Sequence, residues 1–109
     1  MDTAIVNTYA YVLLTRILLQ KLKQRKTRSA VVTVASSISF CPSPFSLIYA
    51  CTKVFDRFWA NALTIELAGT NIDTLSVCPM YVSTQMTKNM DVSTSSGVID
   101  AQTYVPAIM

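Results

Sequence analysis

Residues 36–53 read SSISFCPSPFSLIYACTK, and both fold and chemistry turn on this stretch. Tyr49 and Lys53 stand four positions apart, so in a helix their side chains lie on one face, one turn from each other. A tyrosine hydroxyl, with a reference pKa near ~10, is a poor acid or base at neutral pH, but a cation within ~4–6 Å stabilises the phenolate. Lys53 is the candidate cation. Ser36 closes the apolar run VVTVAS, which reads as a buried strand delivering a hydroxyl at its carboxyl end. Taken one at a time these residues have ordinary readings: a half-buried helix tyrosine, a solvated lysine, a serine after a strand. Taken together, strand, loop and helix converge on one point.

Working outward, Ser29–Val34 is a β-branched run between a charged loop and a cluster of serines. Its lack of alternation predicts burial on both faces, as in a central parallel strand. Pro42 and Pro44 stiffen the CPSPFSLI loop and remove two amide donors, so an extended, exposed path is expected, fit to wall a substrate site. From Tyr49 onward, Val54, Phe55, Phe58, Trp59, Ala62, Leu63 and Leu67 recur at a helical period, with no glycine or proline until Gly69. Gly69 can take the left-handed conformation that ends the helix, and Asn71 can assist the turn. Phe55, Phe58 and Trp59 read as core or dimer-interface residues. Ile72–Cys78 is a second β-branched strand ending at Pro79, which completes a βαβ unit with a right-handed crossover.

Ahead of this unit, Thr3–Lys26 carries a helical apolar period and ends in KLKQRKTR. Cations in the last turns suit the negative end of the helix dipole. The helix offers two apolar stripes, Tyr9/Val12/Arg16/Leu19 and Leu13/Ile17/Leu18/Leu22, more than one sheet face needs, so one stripe is expected to face a partner subunit. Asn7 lies in its first turns, where a local backbone bond would account for it.

The chain has 109 residues, 51% of them hydrophobic, which bounds it to one domain with a real core. Net charge is +3, and six of the nine basic residues fall between Arg16 and Arg28 without interleaved aromatics, which argues against nucleic acid. Cys41, Cys51 and Cys78 show no CxxC spacing and there is no histidine, so no ordinary zinc site can be assembled. Free thiols suit an intracellular, reducing compartment. The run Ala10–Leu19 is interrupted by Thr15 and Arg16 and falls short of the ~20 residues that cross a bilayer. The start, MDTAIVNTYAY, lacks the basic leader of a signal peptide.

A serine at a strand end, thirteen residues, YACTK, then a strand with a proline turn: this order resembles the short-chain dehydrogenase/reductase family. The resemblance implies catalytic roles for Ser36, Tyr49 and Lys53. The thirteen-residue interval selects Ser36 over Ser37 and Ser39, with Ser37 the choice if the loop were one residue tighter. It also implies that Asn7, twenty-nine residues before Ser36 in a VN pair, anchors a water that relays protons to the lysine. The segment PMYVSTQM resembles the family's PGxVxT, which implies that Pro79, Val82 and Thr84, with Tyr49 and Lys53, bind the nicotinamide end of NADP(H) or NAD(H). Met80 replaces the usual glycine, a departure at the loop's close approach to cofactor. The polar stretch Lys88–Asp100 would be a substrate loop or lid, and IDAQTYVPAIM the start of the next helix.

The implied fold is α/β, a partial Rossmann-like doubly wound parallel sheet: one βαβ unit plus the preceding long helix, spanning 1–109 as a single partial domain. The family's TGxxxGxG turn, which binds the pyrophosphate, and its NAG segment cannot be present with only Gly69 and Gly97, so the N-terminal phosphate-binding half is expected to be absent from this chain. The PSP loop, CPMYVSTQM and QTYVPAI resemble the branch with very-long-chain 3-oxoacyl-CoA reductases and 17-beta-hydroxysteroid dehydrogenases. That implies hydride transfer to a hydrophobic ketone or acyl-CoA in lipid or steroid metabolism, dimers paired through the two long helices, and association with the endoplasmic reticulum through an anchor upstream of Met1. The alternative expectation is a truncated, catalytically inactive chain acting as a dimerisation or interaction protein.

Overall fold

The computed structural model describes residues 2–85, 87 and 99–108, which fall into two compact units, Met1–Cys78 and Pro79–Met109. In the first unit a short helix α1 (Asp2–Ala4) runs into a π-helical turn (Ile5–Tyr9) and then α2 (Ala10–Lys23). The predicted long helix is therefore continuous but carries a widened turn. Strand β1 (Ser29–Val34), a 3₁₀ turn (Ser37–Phe40), helix α3 (Leu47–Glu66) and strand β2 (Ile72–Val77) follow. β1 and β2 pair in parallel, Ser29 opposite Ile72 through Val34 opposite Val77, with α3 as the crossover. This is the expected βαβ unit.

Helix α3 starts two residues before Tyr49, at Leu47, directly after Phe45 has turned the chain at a φ of 64°. It ends where predicted: Leu67 and Thr70 close the last turn, and Gly69 takes a φ of 79°. No heavy atom lies within 4 Å of a Cβ built there, so conformation, not space, favours glycine. Asn71 donates from Nδ2 to the carbonyls of Arg25 (2.7 Å) and Thr27 (3.2 Å), tying the start of β2 to the loop before β1.

Leu63 of α3, Leu67 at its C-cap and Ile72 of β2 form the core, against which Leu19 and Leu22 of α2 and Val31 of β1 pack. Both helices thus serve the same side of the sheet. This corrects the expectation that β1 is buried on both faces: Val31 and Thr33 point to the helices, whereas Val32 and Val34 are 51% and 48% exposed. Burial alternates along β1 because α2 and α3 cover one of its faces. Phe58 likewise is exposed and outside the core, while Phe55 and Trp59 stack on each other with centroids 5.9 Å apart.

In the second unit β3 (Val82–Ser83) pairs in parallel with β4 (Ile99–Asp100), and α4 (Ala101–Ile108) follows. Most of the expected loop Lys88–Asp100 lies outside the described residues, which resume at Ile99.

Candidate active site

Tyr49 and Lys53 lie in the first two turns of α3, on the face that continues through Thr52, Asp56, Ala60 and Leu63 into the core. Helical spacing puts the Lys53 Nζ 5.9 Å from the centroid of the Tyr49 ring. The lysine side chain is only 12% exposed. Its ammonium donates to the Val34 carbonyl at 2.9 Å and to Asp56 Oδ2 at 3.0 Å, which leaves one N–H unassigned. The Tyr49 hydroxyl has no hydrogen-bond partner among the described residues, so its phenolic proton is uncommitted.

The Val34 carbonyl is the last of β1, and the Lys53 bond to it brings the ammonium to the carboxyl end of the strand. Tyr11 of α2 donates to the same carbonyl at 3.1 Å, so strand and both helices meet at one atom. Ser36 follows two residues later. It is the N-cap of the 3₁₀ turn, with extended backbone, and its Oγ accepts from the Ile38 amide at 3.4 Å. That bond uses an oxygen lone pair and leaves the Ser36 hydroxyl proton to be donated elsewhere. Of the two other serines of this cluster, Ser37 opens the 3₁₀ turn, and Ser39 is buried with its Oγ unpartnered among the described residues.

Asn7 sits at the middle of the π-helical turn. Such widened turns are rare and concentrate at functional positions. Its Nδ2 donates to Thr52 Oγ1 at 3.0 Å, and that hydroxyl donates to the Tyr49 carbonyl at 2.7 Å. The asparagine is thereby fastened to α3 between Tyr49 and Lys53.

Asp56 was not singled out by sequence reasoning. It is wholly buried, and its Oδ1 has no hydrogen-bond partner among the described residues. Burial pushes its carboxyl above the usual carboxylate range, against the opposing pull of the Lys53 ammonium. The available signal was a carboxylate on the stripe of α3 that otherwise reads as core, one turn from a lysine. Tyr11 and Thr52 were missed as well, since a tyrosine and a threonine in helices carry no spacing signature.

Pro79, Val82 and Thr84 belong to the second unit. There the Thr84 amide donates to Thr87 Oγ1 at 3.0 Å, and that hydroxyl bonds the Val82 carbonyl at 2.8 Å and the Thr84 carbonyl at 3.1 Å, a closed turn after β3. Among the described residues no group of three or more acidic or cysteine side chains could hold a metal ion, and no helix is long and apolar enough to cross a membrane.

Comparison with known proteins bears on the family and the fold. The family model described as short chain dehydrogenase matches residues 1–94. The chain is 33% identical over 91 residues to a very-long-chain 3-oxoacyl-CoA reductase of Kluyveromyces lactis, covering 80% of this chain and 26% of that protein. It is 34% identical over 86 residues to a 17-beta-hydroxysteroid dehydrogenase type 3 of Danio rerio, covering 79% of this chain and 28% of that one. It therefore spans between a quarter and a third of the length of these relatives. The solved structure of a short chain dehydrogenase from Burkholderia cenocepacia, in complex with NADP, matches the fold with a TM-score of 0.74 at 17% identity, over 96% of this chain and 51% of that one. With a family model matching most of its length and a parallel βαβ unit, the chain belongs to the short-chain dehydrogenase family.

Proposed function

We propose that this chain carries the catalytic part of an NAD(P)H-dependent reductase that converts a hydrophobic ketone, a 3-oxoacyl-CoA or a steroid-like compound, to the secondary alcohol. The observation that carries the reading is the Lys53 ammonium, fixed at the carboxyl end of β1 and 5.9 Å from the Tyr49 ring centroid. The substrate class rests on the names of the relatives, a 3-oxoacyl-CoA reductase and a hydroxysteroid dehydrogenase.

The residues present suit the ribose–nicotinamide end of such a cofactor. Lys53 keeps one N–H beyond those given to Val34 and Asp56, and the Tyr49 hydroxyl is uncommitted among the described residues. When bound, the reduced nicotinamide supplies the hydride. Tyr49 gives its phenolic proton to the oxygen of the carbonyl as negative charge develops there. The Lys53 ammonium stabilises the phenolate left behind, which is the chemical reason for keeping a cation one helical turn away. Ser36 donates its hydroxyl proton to the same carbonyl oxygen, a donor aimed where charge grows. Asn7, fastened to Thr52, is assigned to order water on the route that returns a proton toward Lys53. Pro79, Val82 and Thr84 are assigned to the nicotinamide amide.

A second reading is favoured by one observation: Leu13, Leu14, Ile17 and Leu18 of α2 and Phe58 and Ile65 of α3 are exposed, between 45% and 78%. Apolar helix faces of this kind fit a chain that pairs with a second copy and binds no cofactor. Calorimetric titration separates the two. Binding of NADPH in the ~1 μM range supports the reductase, and no binding at ~1 mM cofactor supports the interaction protein. Where NADPH oxidation by a 3-oxoacyl-CoA is measured, Tyr49→Phe should reduce it by about 10²–10⁴-fold while the fold is kept; an unchanged rate would refute Tyr49 as proton donor.

A further inference from the structure

We propose that Asp56 is a positioning residue for Lys53: its buried carboxylate holds the ammonium against the end of β1 beside the Tyr49 ring, and so determines where the remaining N–H points. The inference rests on the reading of Lys53 as a working member of the site.

Position 56 lies on the stripe of α3 formed by Thr52, Ala60 and Leu63, where a small apolar side chain would pack without electrostatic penalty. A carboxylate with no exposed surface is costly there unless paired. The pairing it makes is with Lys53, at 3.0 Å through Oδ2. The second carboxylate oxygen, Oδ1, is buried with no partner among the described residues, which leaves Lys53 as the group this carboxylate holds there. What Asp56 accomplishes is to fix a side chain that is otherwise a flexible stem with a freely rotating ammonium. Two N–H groups go to Asp56 Oδ2 and the Val34 carbonyl, and the tetrahedral geometry of the ammonium then dictates the direction of the third.

Lys53 is the charged group acting on this carboxyl. From β1 the ammonium meets the Val34 carbonyl, and from α2 the Tyr11 hydroxyl donates to that same atom. The next cation along α3, Arg57, is turned away, with Nη2 on the Ser39 carbonyl at 3.1 Å and its guanidinium 4.6 Å from the Phe40 ring centroid. Asp56 is thus the anionic group holding Lys53 among the described residues, and Arg57 offers no substitute cation for it.

The deciding measurement is NMR of lysine ammonium groups in the full chain, with neither cofactor nor substrate. At neutral pH an exposed lysine ammonium exchanges too fast with water to give a sharp proton–nitrogen signal, and hydrogen bonds slow that exchange; the signal missing from Lys53→Arg is that of Lys53. The expected result is a protected Lys53 signal in the unaltered chain and in Asp56→Glu, and its loss to solvent exchange in a folded Asp56→Asn. An undiminished signal in Asp56→Asn overturns the proposal. Should that variant not fold, a scalar coupling across the hydrogen bond, between Lys53 Nζ and the Asp56 carboxyl carbon, is measured in the unaltered chain at neutral pH. A coupling supports the proposal, and its absence overturns it. Since no turnover is measured, an inactive chain would refute the reductase reading without touching this result, and a flat ammonium result would refute the role of Asp56 without touching turnover.

Discussion

Replacing Lys53 by methionine removes the ammonium while keeping most of the stem volume, and leaves a fully buried carboxylate facing no cation. Breaking a buried pair by removing one partner costs about 3–5 kcal/mol, against the ~5–15 kcal/mol that holds a domain folded. The loss is tied to ionisation. Burial already pushes the Asp56 carboxyl above its ordinary range although Lys53 pulls it down, so without Lys53 it rises further. A carboxyl that titrates higher folded than unfolded makes the folded state the greater proton binder between the two values, so stability falls as pH rises through that window. Lys53→Met should therefore be strongly destabilised at neutral pH and should regain most of the deficit as pH falls toward ~4, the unfolded carboxylate value. Trp59, the one tryptophan of the sequence, stacked on Phe55, reports urea unfolding at each pH. In the double variant Lys53→Met/Asp56→Leu the neutral-pH deficit should vanish, because an apolar pair of similar volume is neutral or better. A Lys53→Met loss below ~1 kcal/mol at neutral pH, the size expected of a surface pair, or a loss equal at every pH, would refute the reasoning.

Leu63→Ala empties the centre of the core shared by Leu67, Ile72, Leu19 and Leu22 and should cost about 2–5 kcal/mol in the same urea assay. Gly69→Ala meets no atom within 4 Å yet must hold a φ of 79°, so it should cost about 1–2 kcal/mol with no change in the near-ultraviolet spectrum; a neutral result would show that the turn does not enforce the left-handed state. Asn7→Ala removes the 3.0 Å bond to Thr52 and should cost about 1 kcal/mol, with faster amide exchange in the π-helical turn than in α2; equal protection in both would show that Asn7 does not fasten the turn to α3.

How much of this could be read from the residues alone depends on whether the determining interaction is local. β1 falls on Ser29–Val34 as expected because a β-branched run between turn residues needs no distant partner to be recognised. Gly69 ends α3 for an equally local reason. The start of α3 at Leu47 is set by Phe45, whose positive φ has no signature in an aromatic residue, so the expected boundary fell two residues late. Burial of β1 was misjudged because VVTV has the same composition whether one face or both are covered; the answer lies in where α2 and α3 pack. The second unit contributes a parallel β3–β4 pairing that joins residues 82 and 99, a separation at which no periodic pattern speaks.

The candidate site divides in the same way. Tyr49 and Lys53 are four apart on one helix, so their proximity was legible as soon as the helix was. The 2.9 Å bond from Lys53 to the Val34 carbonyl was not, because it joins a helix to a strand end nineteen residues away, and only the tertiary fold decides which carbonyl is within reach. Asp56 is the sharper case. Its spacing from Lys53 is that of a routine solvent-facing ion pair, and the surface Arg28–Asp73 bridge, with side chains 79% and 57% exposed, shows how little such a pairing constrains. What distinguishes Asp56 is burial, and burial of a carboxylate opposes folding. A group of that kind persists in a core only where the fold over-determines its place, and here the determinant is the lysine, itself held at the strand end. The same buried charge that holds the lysine makes loss of the lysine costly, because a carboxylate without exposed surface is then left unpaired.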